Sequence, residues 1–189
     1  ASVLYGAVTS AARANDLAKA RDAMSQLVDG FGGTGYAPRA ALVYARVLWD
    51  AGEKAGAKAP LNWVIDRASE DELKQIARYR LAEALLDDNQ YDQALAVLDA
   101  KHADAFAGLY ADLRGDALAA AGRAAEARNA YETALAKLDP KSSYRNYVQV
   151  KLDATPVAAK PPQPGATPAA GSPPAPSPPA AAPAPSAKP

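Results

Sequence analysis

The sequence contains no cysteine and a single histidine, His102. Without thiols the chain has neither disulfides nor thiolate metal ligands, and a lone histidine completes neither a metal site nor a Ser/His or Cys/His couple. Carboxylates are numerous, but Asp87-Asp88 and Glu70 to Glu72 fall at predicted turns and helix starts, where acidic residues serve structural purposes. The sequence therefore predicts no catalytic residue, no metal site, no cofactor and no enzymatic activity.

Long apolar runs and a net charge are also missing. No stretch approaches the roughly 18 apolar residues that a membrane-spanning helix needs. Lysine and arginine total 21, and aspartate and glutamate also total 21. Because Lys160 and Lys188 are the only charged residues after residue 153, residues 1–153 carry 19 basic and 21 acidic residues. A mildly acidic domain offers little attraction for a phosphate backbone, so nucleic acid is not an expected partner.

Proline is scarce up to residue 153 and abundant after it. Thirteen of the 16 prolines fall in residues 154–189, among Ala, Ser and Gly and without an aromatic residue. Such a composition buries too little apolar surface to offset the entropy of ordering the chain. We therefore predict a folded domain over residues 1–153 and a disordered Pro/Ala-rich tail over residues 154–189. The tail is interpreted as a spacer, although Pro161 to Pro164 also fits the PxxP pattern of a ligand for a proline-reading domain.

Residues 1–153 have the pattern of an all-α domain. Alanine is abundant, runs of β-branched residues are missing, and apolar residues recur three and four positions apart, as at Leu81, Ala84 and Leu85. The predicted helix boundaries are a capping box at 69–72, turns at 87–90 and 121–123, and a helix end at Pro140. This pattern predicts about eight helices joined by short turns.

An internal repeat indicates how these helices are arranged. A shift of 33 positions relates Ala82 to Gly115, Leu85 to Leu118, Ala94 to Ala127 and Leu98 to Tyr131. Small and large residues that alternate at these spacings let one helix hairpin stack on the next. The pattern resembles the tetratricopeptide repeat, and the unit from about Gly108 to Pro140 matches it best. The resemblance implies about three to four tetratricopeptide-like hairpin pairs plus a C-terminal capping helix.

The units before this repeat match less well. The second unit has Ala45, Leu48, Ala57 and Leu61 in the same order. Pro60 interrupts that unit, so its second helix is predicted to begin near Ala59 with Pro60 in the first turn. Residues 1–29 are predicted to form a more degenerate pair, with Gly6 and Ala18 at the small positions. After Pro140, Tyr144, Tyr147, Val148 and Leu152 predict the amphipathic helix that caps the array.

Two local motifs receive structural interpretations. Gly30 to Gly35 matches GxGxxG, but a dinucleotide site needs a strand before the loop and a helix after it. Here a predicted helix from Leu17 to Asp29 precedes the glycines, so they are interpreted as a helix cap and turn. His102 is expected at the surface, in the link between two repeats.

Eleven residues are predicted to line a partner-binding groove. In tetratricopeptide arrays the first helix of each pair faces the inner surface, and the register assigns to it Arg39, Leu42, Arg46, Trp49, Ile76, Tyr79, Glu83, Leu86, Leu109, Asp112 and Asp116. An apolar, aromatic floor with charges of both signs suits an extended or helical segment of another protein. Trp49 and Tyr79 are of the types that form hot spots, although Trp49 and Leu86 fit the core between repeats equally well. The charges change from positive at Arg46 to negative at Asp116, which predicts the acidic end of a partner near the first pair.

Three stretches resemble the YfgM family, the ancillary subunits of the SecYEG translocon in Gram-negative bacteria. They are Arg80 to Ala84, Ala94 to Asp99 and, most specifically, Ala111 to Leu118, with Gly122 and Arg128 following. The resemblance covers residues 1–153 and implies a periplasmic tetratricopeptide-like domain that binds other proteins. The sequence does not contain the Lys/Asn clamp with which some tetratricopeptide domains hold chaperone C-termini.

The same resemblance implies partners and a location. The partners would be the SecYEG translocon and a membrane-anchored periplasmic chaperone of the prolyl-isomerase type. The chain would lie on the periplasmic side of the bacterial inner membrane, held by an N-terminal single-pass anchor ahead of Ala1. The Pro/Ala tail departs from the family pattern. Two alternatives stay open: a helical-repeat scaffold or lipoprotein in outer-membrane assembly or cell-wall and division coordination, and a cytoplasmic adaptor.

Overall fold

Nine helices follow one another in residues 1–156, the part of the chain that the computed structural model describes. Their bounds are α1 Ser2–Arg13, α2 Leu17–Phe31, α3 Tyr36–Asp50, α4 Lys54–Arg67, α5 Asp71–Asp87, α6 Tyr91–Leu98, α7 Asp104–Ala120, α8 Ala124–Lys137 and α9 Tyr144–Ala154. The first eight helices form four pairs, and α9 packs against α8. This arrangement, without a strand in residues 1–156, confirms the predicted all-α, tetratricopeptide-like fold. None of the nine helices combines the length and the apolar character that crossing a membrane requires.

Each helix pair turns through three residues, and the central residue has a positive φ. The central residues are Asn15 (57°), Gly52 (82°), Asn89 (59°) and Gly122 (75°). Glycine and asparagine adopt this left-handed conformation most readily. In the fourth turn the Arg123 amide donates to the Leu118 carbonyl oxygen at 2.8 Å, which closes the end of α7. The turns predicted at 87–90 and 121–123 are confirmed.

The four turns define one register for all pairs. Counted from the central turn residue, the same position of the first helix is Val8, Ala45, Ala82 and Gly115, and that of the second helix is Ala20, Ala57, Ala94 and Ala127. All eight are buried where the two helices of a pair cross. The predicted assignments in the second, third and fourth pairs are therefore confirmed.

The assignment in the first pair was wrong by two residues. An added Cβ at Gly6 would meet nothing within 4 Å, and Ala18 is exposed. Val8 and Ala20 are fully buried instead. A search for small residues misses this register because the first-helix position holds a β-branched valine.

Two predicted helix starts also differ from the structure. α4 begins at Lys54, so Pro60 lies inside the helix and not in its first turn. The helix loses one hydrogen bond at Pro60, but it buries Ala57, Leu61 and Val64 in the core. The predicted capping box at 69–72 does not form, because Glu70 is the N-cap residue of α5 and makes no side-chain cap. Its carboxylate accepts two hydrogen bonds from Arg39 instead, at 2.9 and 2.7 Å.

The predicted capping helix is present, and so is the predicted glycine turn, although α2 continues through Gly30 to Phe31 before the turn begins. Gly32 to Gly35 connect α2 to α3, so a helix precedes the glycines. Helix α9 buries Val148 and Leu152, as predicted. The packed structure continues past residue 153, since Ala154 ends α9 and the Thr155 side chain is buried. The rest of the predicted tail, residues 157–189, lies outside the described residues.

Candidate protein-binding groove

Helices α3 and α5 lie next to each other, and residues of α3, α4, α5 and α7 enclose a cavity of about 300 Å³. Five of the predicted groove residues line this cavity: Leu42, Arg46, Trp49, Glu83 and Leu86. Its other lining residues are Ala45, Ala57, Leu61, Arg80, Asp87 and Leu113. We call this cavity the anchor pocket. Tertiary packing thus brings together the central part of the predicted surface.

The floor of the anchor pocket belongs to the hydrophobic core. Ala45, Ala57 and Leu61 are 4%, 1% and 2% exposed, respectively, and they form the crossing of α3 and α4. Leu42, Trp49 and Leu86 are half-buried and lie nearer the opening. The sequence left open whether Trp49 is core or groove; in the structure it is half-buried and lines the anchor pocket, with the Lys54 ammonium over its ring.

Charged side chains surround the opening and pair with one another. The Arg46 Nε donates to the Asp50 carboxylate at 2.8 Å, and the Arg80 Nη1 donates to Glu83 at 2.8 Å. Lys54 pairs with Asp87, and its Nζ lies 4.7 Å from the centre of the Trp49 ring. These contacts hold the charges in place around an apolar interior.

A second, more open cavity of about 460 Å³ adjoins the anchor pocket. The two cavities share Leu42, Arg46 and Arg80. Ile76, another predicted groove residue, lines the second cavity together with Arg13 and Asp50. We call this cavity the arginine shelf. The sequence predicted neither Arg13 nor Arg80, although the spacing of residues 76, 80, 83 and 87 places Arg80 on the same helix face as Ile76 and Glu83.

Five predicted residues line neither cavity, and the first three of them are Arg39, Tyr79 and Leu109. Arg39 is tied to Glu70 at the start of α5. Tyr79 is half-buried, with its ring centroid 6.1 Å from that of Tyr110, and burial raises the pKa of Tyr79. Leu109 is half-buried on α7. Arg39 and Tyr79 thus take part in contacts between different helices of the array.

The contact between Tyr79 and Tyr110 belongs to a cluster that joins α5 to α7. The Tyr110 hydroxyl donates to the Gln75 carbonyl oxygen at 2.7 Å, and burial raises the pKa of Tyr110 to about 12. The His102 ring stacks on Tyr110 at 4.4 Å. His102 therefore lies in the link between two repeats, as predicted, but it is half-buried there.

The acidic end predicted for the groove is covered. Asp112 is 1% exposed, and the Lys151 ammonium of α9 donates to both of its carboxylate oxygens at 3.0 Å. Lys151 also donates to Asp116 at 2.6 Å, and the Tyr131 hydroxyl donates to Asp116 at 2.8 Å. Helix α9 packs against α8, and its Lys151 and Tyr144 side chains reach Asp112 of α7; this contact explains the burial, which the sequence did not predict. An open groove therefore ends before Asp112 and Asp116.

Burial and ion pairing oppose each other in this cluster. Burial raises the pKa of the Asp116 carboxyl, and the hydrogen bond from Lys151 only partly offsets it. For Lys151 burial alone would lower the pKa, but the hydrogen bonds with Asp116 and Asp112 outweigh it and raise the pKa. The cluster is an internal contact of the fold. Within residues 1–156, no group of three His, Asp or Glu side chains is placed to hold a metal ion.

Comparisons with known proteins agree with this architecture. The model of a family described as a tetratricopeptide repeat-like domain matches residues 1–157. Two solved structures are similar in fold, a double mutant of MamA RS-1 and a MamA from Desulfovibrio magneticus RS-1. Their TM-scores are 0.61 and 0.60, each at 19% identity, and they cover 82% and 80% of this chain and 85% of their own. At this identity they support the fold alone.

Two relatives carry the same descriptive name, ancillary SecYEG translocon subunit. The protein from Neisseria gonorrhoeae is 35% identical over 118 residues, which cover 62% of this chain and 56% of the relative. The protein from Escherichia coli is 32% identical over 118 residues, which cover 62% of this chain and 57% of the relative. The resemblance predicted from the sequence is confirmed. The match spans a little over half the length of each relative.

Proposed function

Since this chain belongs to the tetratricopeptide repeat-like domain family, we propose that it is a non-enzymatic scaffold that binds other proteins, within the Sec translocon assembly. The observation that carries the proposal is the similarity, over 118 residues, to two proteins named ancillary SecYEG translocon subunit. Helical-repeat domains of this kind present extended surfaces for binding.

The anchor pocket and the arginine shelf form the binding surface in this proposal. An apolar interior with a few oriented polar groups at its opening is the usual composition of a binding cleft. Trp49 offers a large, rigid contact area at the opening, and tryptophan and arginine are enriched among residues that dominate binding energy. Because Asp112 and Asp116 are covered by α9, the surface is shorter than the sequence predicted.

The partners proposed are the SecYEG translocon and, by the resemblance described above, a membrane-anchored periplasmic chaperone. The corresponding location is the periplasmic side of the inner membrane. The translocon is named in the descriptions of both relatives, whereas the chaperone rests on the resemblance alone.

Photocrosslinking from the groove tests this proposal. A photoreactive phenylalanine analogue replaces Arg46 in the 189-residue chain, and the product is illuminated with purified SecYEG in lipid nanodiscs. Since Arg46 borders both cavities, we expect a crosslink to a SecYEG subunit. The matched control carries the analogue at Glu132, an exposed residue of α8 that lines neither cavity.

The outcomes separate the parts of the proposal. A crosslink from position 46 that is absent at position 132 supports binding through the groove. A crosslink from position 132 alone would assign the interface to another face of the array. No crosslink from either position, while circular dichroism shows intact helices, would contradict binding of this domain to SecYEG.

A further inference from the structure

We propose that the anchor pocket holds one bulky apolar side chain of a partner protein, and that an acidic residue beside that side chain binds the arginine shelf. This inference rests on the proposed function, because it assumes that the groove binds a protein segment. It adds the chemistry of that segment and the direction in which it lies.

Two residues that line the anchor pocket lie at positions that are in close contact in the fourth helix pair. In the fourth pair the Tyr131 ring lies directly on Gly115, where an added Cβ would be only 2.4 Å from the ring. The equivalent residues of the second pair are Ala45 and Leu61, and both line the anchor pocket. Leucine is shorter than tyrosine, so a tyrosine ring at position 61 would extend into the anchor pocket.

The size of the anchor pocket suits a single side chain. Its volume is about 300 Å³, and an apolar cavity of about 150 Å³ already binds benzene. Leu42, Leu61 and Leu86 offer apolar contacts to such a group, and Trp49 offers an aromatic one. The interior therefore fits a leucine or phenylalanine side chain that enters from the opening.

The charges around the opening select an acidic neighbour on one side. Arg13, Arg46 and Arg80 line the arginine shelf; Asp50 pairs with Arg46 and Glu83 pairs with Arg80, so these five side chains carry a net charge of +1. A guanidinium has five N–H donors, and the ion pairs of Arg46 and Arg80 use only part of them. Carboxylates bind such groups with directed hydrogen bonds.

The other side of the opening is neutral, which fixes the direction. There Lys54 pairs with Asp87 and lies over the Trp49 ring, so both charges are balanced. Beyond this side, on α7, Lys151 forms ion pairs with Asp112 and Asp116. An acidic residue of the partner therefore lies toward α1, with the apolar side chain between α3 and α5.

Peptide binding tests both the apolar side chain in the anchor pocket and the acidic residue at the arginine shelf. The probe is a fluorescein-labelled peptide of Gly and Ser that carries two adjacent Asp residues next to one Phe, with its N-terminus acetylated and its C-terminus amidated. Fluorescence anisotropy is recorded with the full 189-residue chain. We expect saturable binding that weakens about tenfold or more when Phe becomes Ser, because a buried apolar side chain is lost. Changing both Asp to Lys is expected to weaken binding by a similar factor.

Two protein variants test the site itself. Ala45→Gly combined with Leu61→Tyr copies the Gly115–Tyr131 pair and fills the anchor pocket from inside, so binding should fall about tenfold or more. Arg80→Glu, at an exposed residue, should lower the affinity for the Asp peptide and raise the affinity for the peptide in which both Asp residues are Lys. Its matched control is Arg123→Glu, since Arg123 pairs with Glu126 at the same spacing but lies in the α7–α8 turn. This control should change neither affinity.

These results distinguish failure of this inference from failure of the proposed function. Absence of peptide binding, or equal binding by the filled variant with unchanged circular dichroism, would overturn the inference. Binding only by a peptide with a free C-terminus would overturn it as well, because the occupant would then be a chain end. In either case a SecYEG crosslink from position 46 would leave the proposed function standing. Peptide binding without that crosslink would support the inferred chemistry of the groove but contradict binding to SecYEG.

Discussion

Close packing at single residues explains why the fourth helix pair fits the repeat pattern best. Gly115 allows the Tyr131 ring to lie against the α7 backbone, and the Tyr131 hydroxyl donates to Asp116 at 2.8 Å, which fixes the ring. A second glycine has the same role at the start of α7, since an added Cβ at Gly108 would lie 2.8 Å from the Leu138 side chain. These positions require glycine for space, not for an unusual φ.

At this scale we predict that Gly115→Ala destabilises the fold by about 1–3 kcal/mol, the usual cost of overpacking a core. The reason is the distance of 2.4 Å between the new Cβ and Cε1 of Tyr131, whose ring is held by its hydrogen bond to Asp116. Urea unfolding followed by circular dichroism measures the change.

Gly6→Ala is the matched control. Gly6 also lies inside a helix, but an added Cβ there meets nothing within 4 Å. Alanine should therefore stabilise the fold by about 0.5–1 kcal/mol through helix propensity. Equal effects of the two substitutions would contradict the packing role of Gly115.

At the scale of elements, α9 is joined to the array by polar contacts as well as by its apolar face. Lys151 reaches two carboxylates of α7, and the Tyr144 hydroxyl also donates to Asp112. Arg128 of α8 donates to the carbonyl oxygens of Leu152 and Thr155 at 2.9 and 2.8 Å, at the end of α9. These contacts specify one position for the last helix and cover the acidic face of α7.

We predict that Lys151→Met destabilises the protein by about 3–5 kcal/mol, because removing one partner of a buried ion pair leaves the other uncompensated. The Lys151 and Asp112 side chains are 17% and 2% exposed, respectively, so water does not replace the lost contact. Thermal unfolding measures the loss.

Lys19→Met is the comparison for that substitution. Lys19 pairs with Asp16 at 2.8 Å, but its side chain is 80% exposed, and solvent screens exposed pairs. No measurable change is expected there. A loss at Lys151 no larger than that at Lys19 would show that α9 is held by its apolar face alone.

At the scale of the whole molecule, one hydrophobic core runs through all four pairs and reaches α9. It extends without interruption from Val8 of α1 to Leu152 of α9. A helix pair cannot bury its apolar faces alone, so each pair of a repeat array depends on its neighbours. Stability is therefore expected to be shared along residues 1–156.

The positions of the two tryptophans make this expectation measurable. Trp49 and Trp63 both belong to the second pair, in α3 and α4, whereas circular dichroism reports on every helix. We predict that urea unfolding followed by tryptophan fluorescence and by circular dichroism gives one midpoint. In Gly115→Ala both midpoints should shift together, although the substitution lies in the fourth pair. Loss of helicity before any change in fluorescence would mean that the pairs unfold independently.

The sequence by itself determined the secondary structure and most of the register. Helical periodicity and turn residues predicted the all-α fold, and the shift of 33 positions placed Ala94 and Ala127 in the core, where both are buried. These features are local or repeat at fixed spacing, so they can be found without knowing which helices touch. The register was wrong in the first pair, where Val8 replaces the expected small residue. The predicted start of α4 was wrong because burial of α4 outweighs the helix-breaking tendency of Pro60.

Only the tertiary structure decided which predicted groove residues share a surface. Leu42, Arg46 and Trp49 meet Glu83 and Leu86 around one cavity because α3 packs beside α5. Asp112 and Asp116 have the same sequence pattern as those residues, yet α9 covers them and Lys151 binds them. The anchor pocket likewise depends on tertiary packing, because residues of α3, α4, α5 and α7 line it together. A helix face can be assigned from spacing, whereas its exposure depends on which other helix lies on it, and that contact is set by residues distant in the chain.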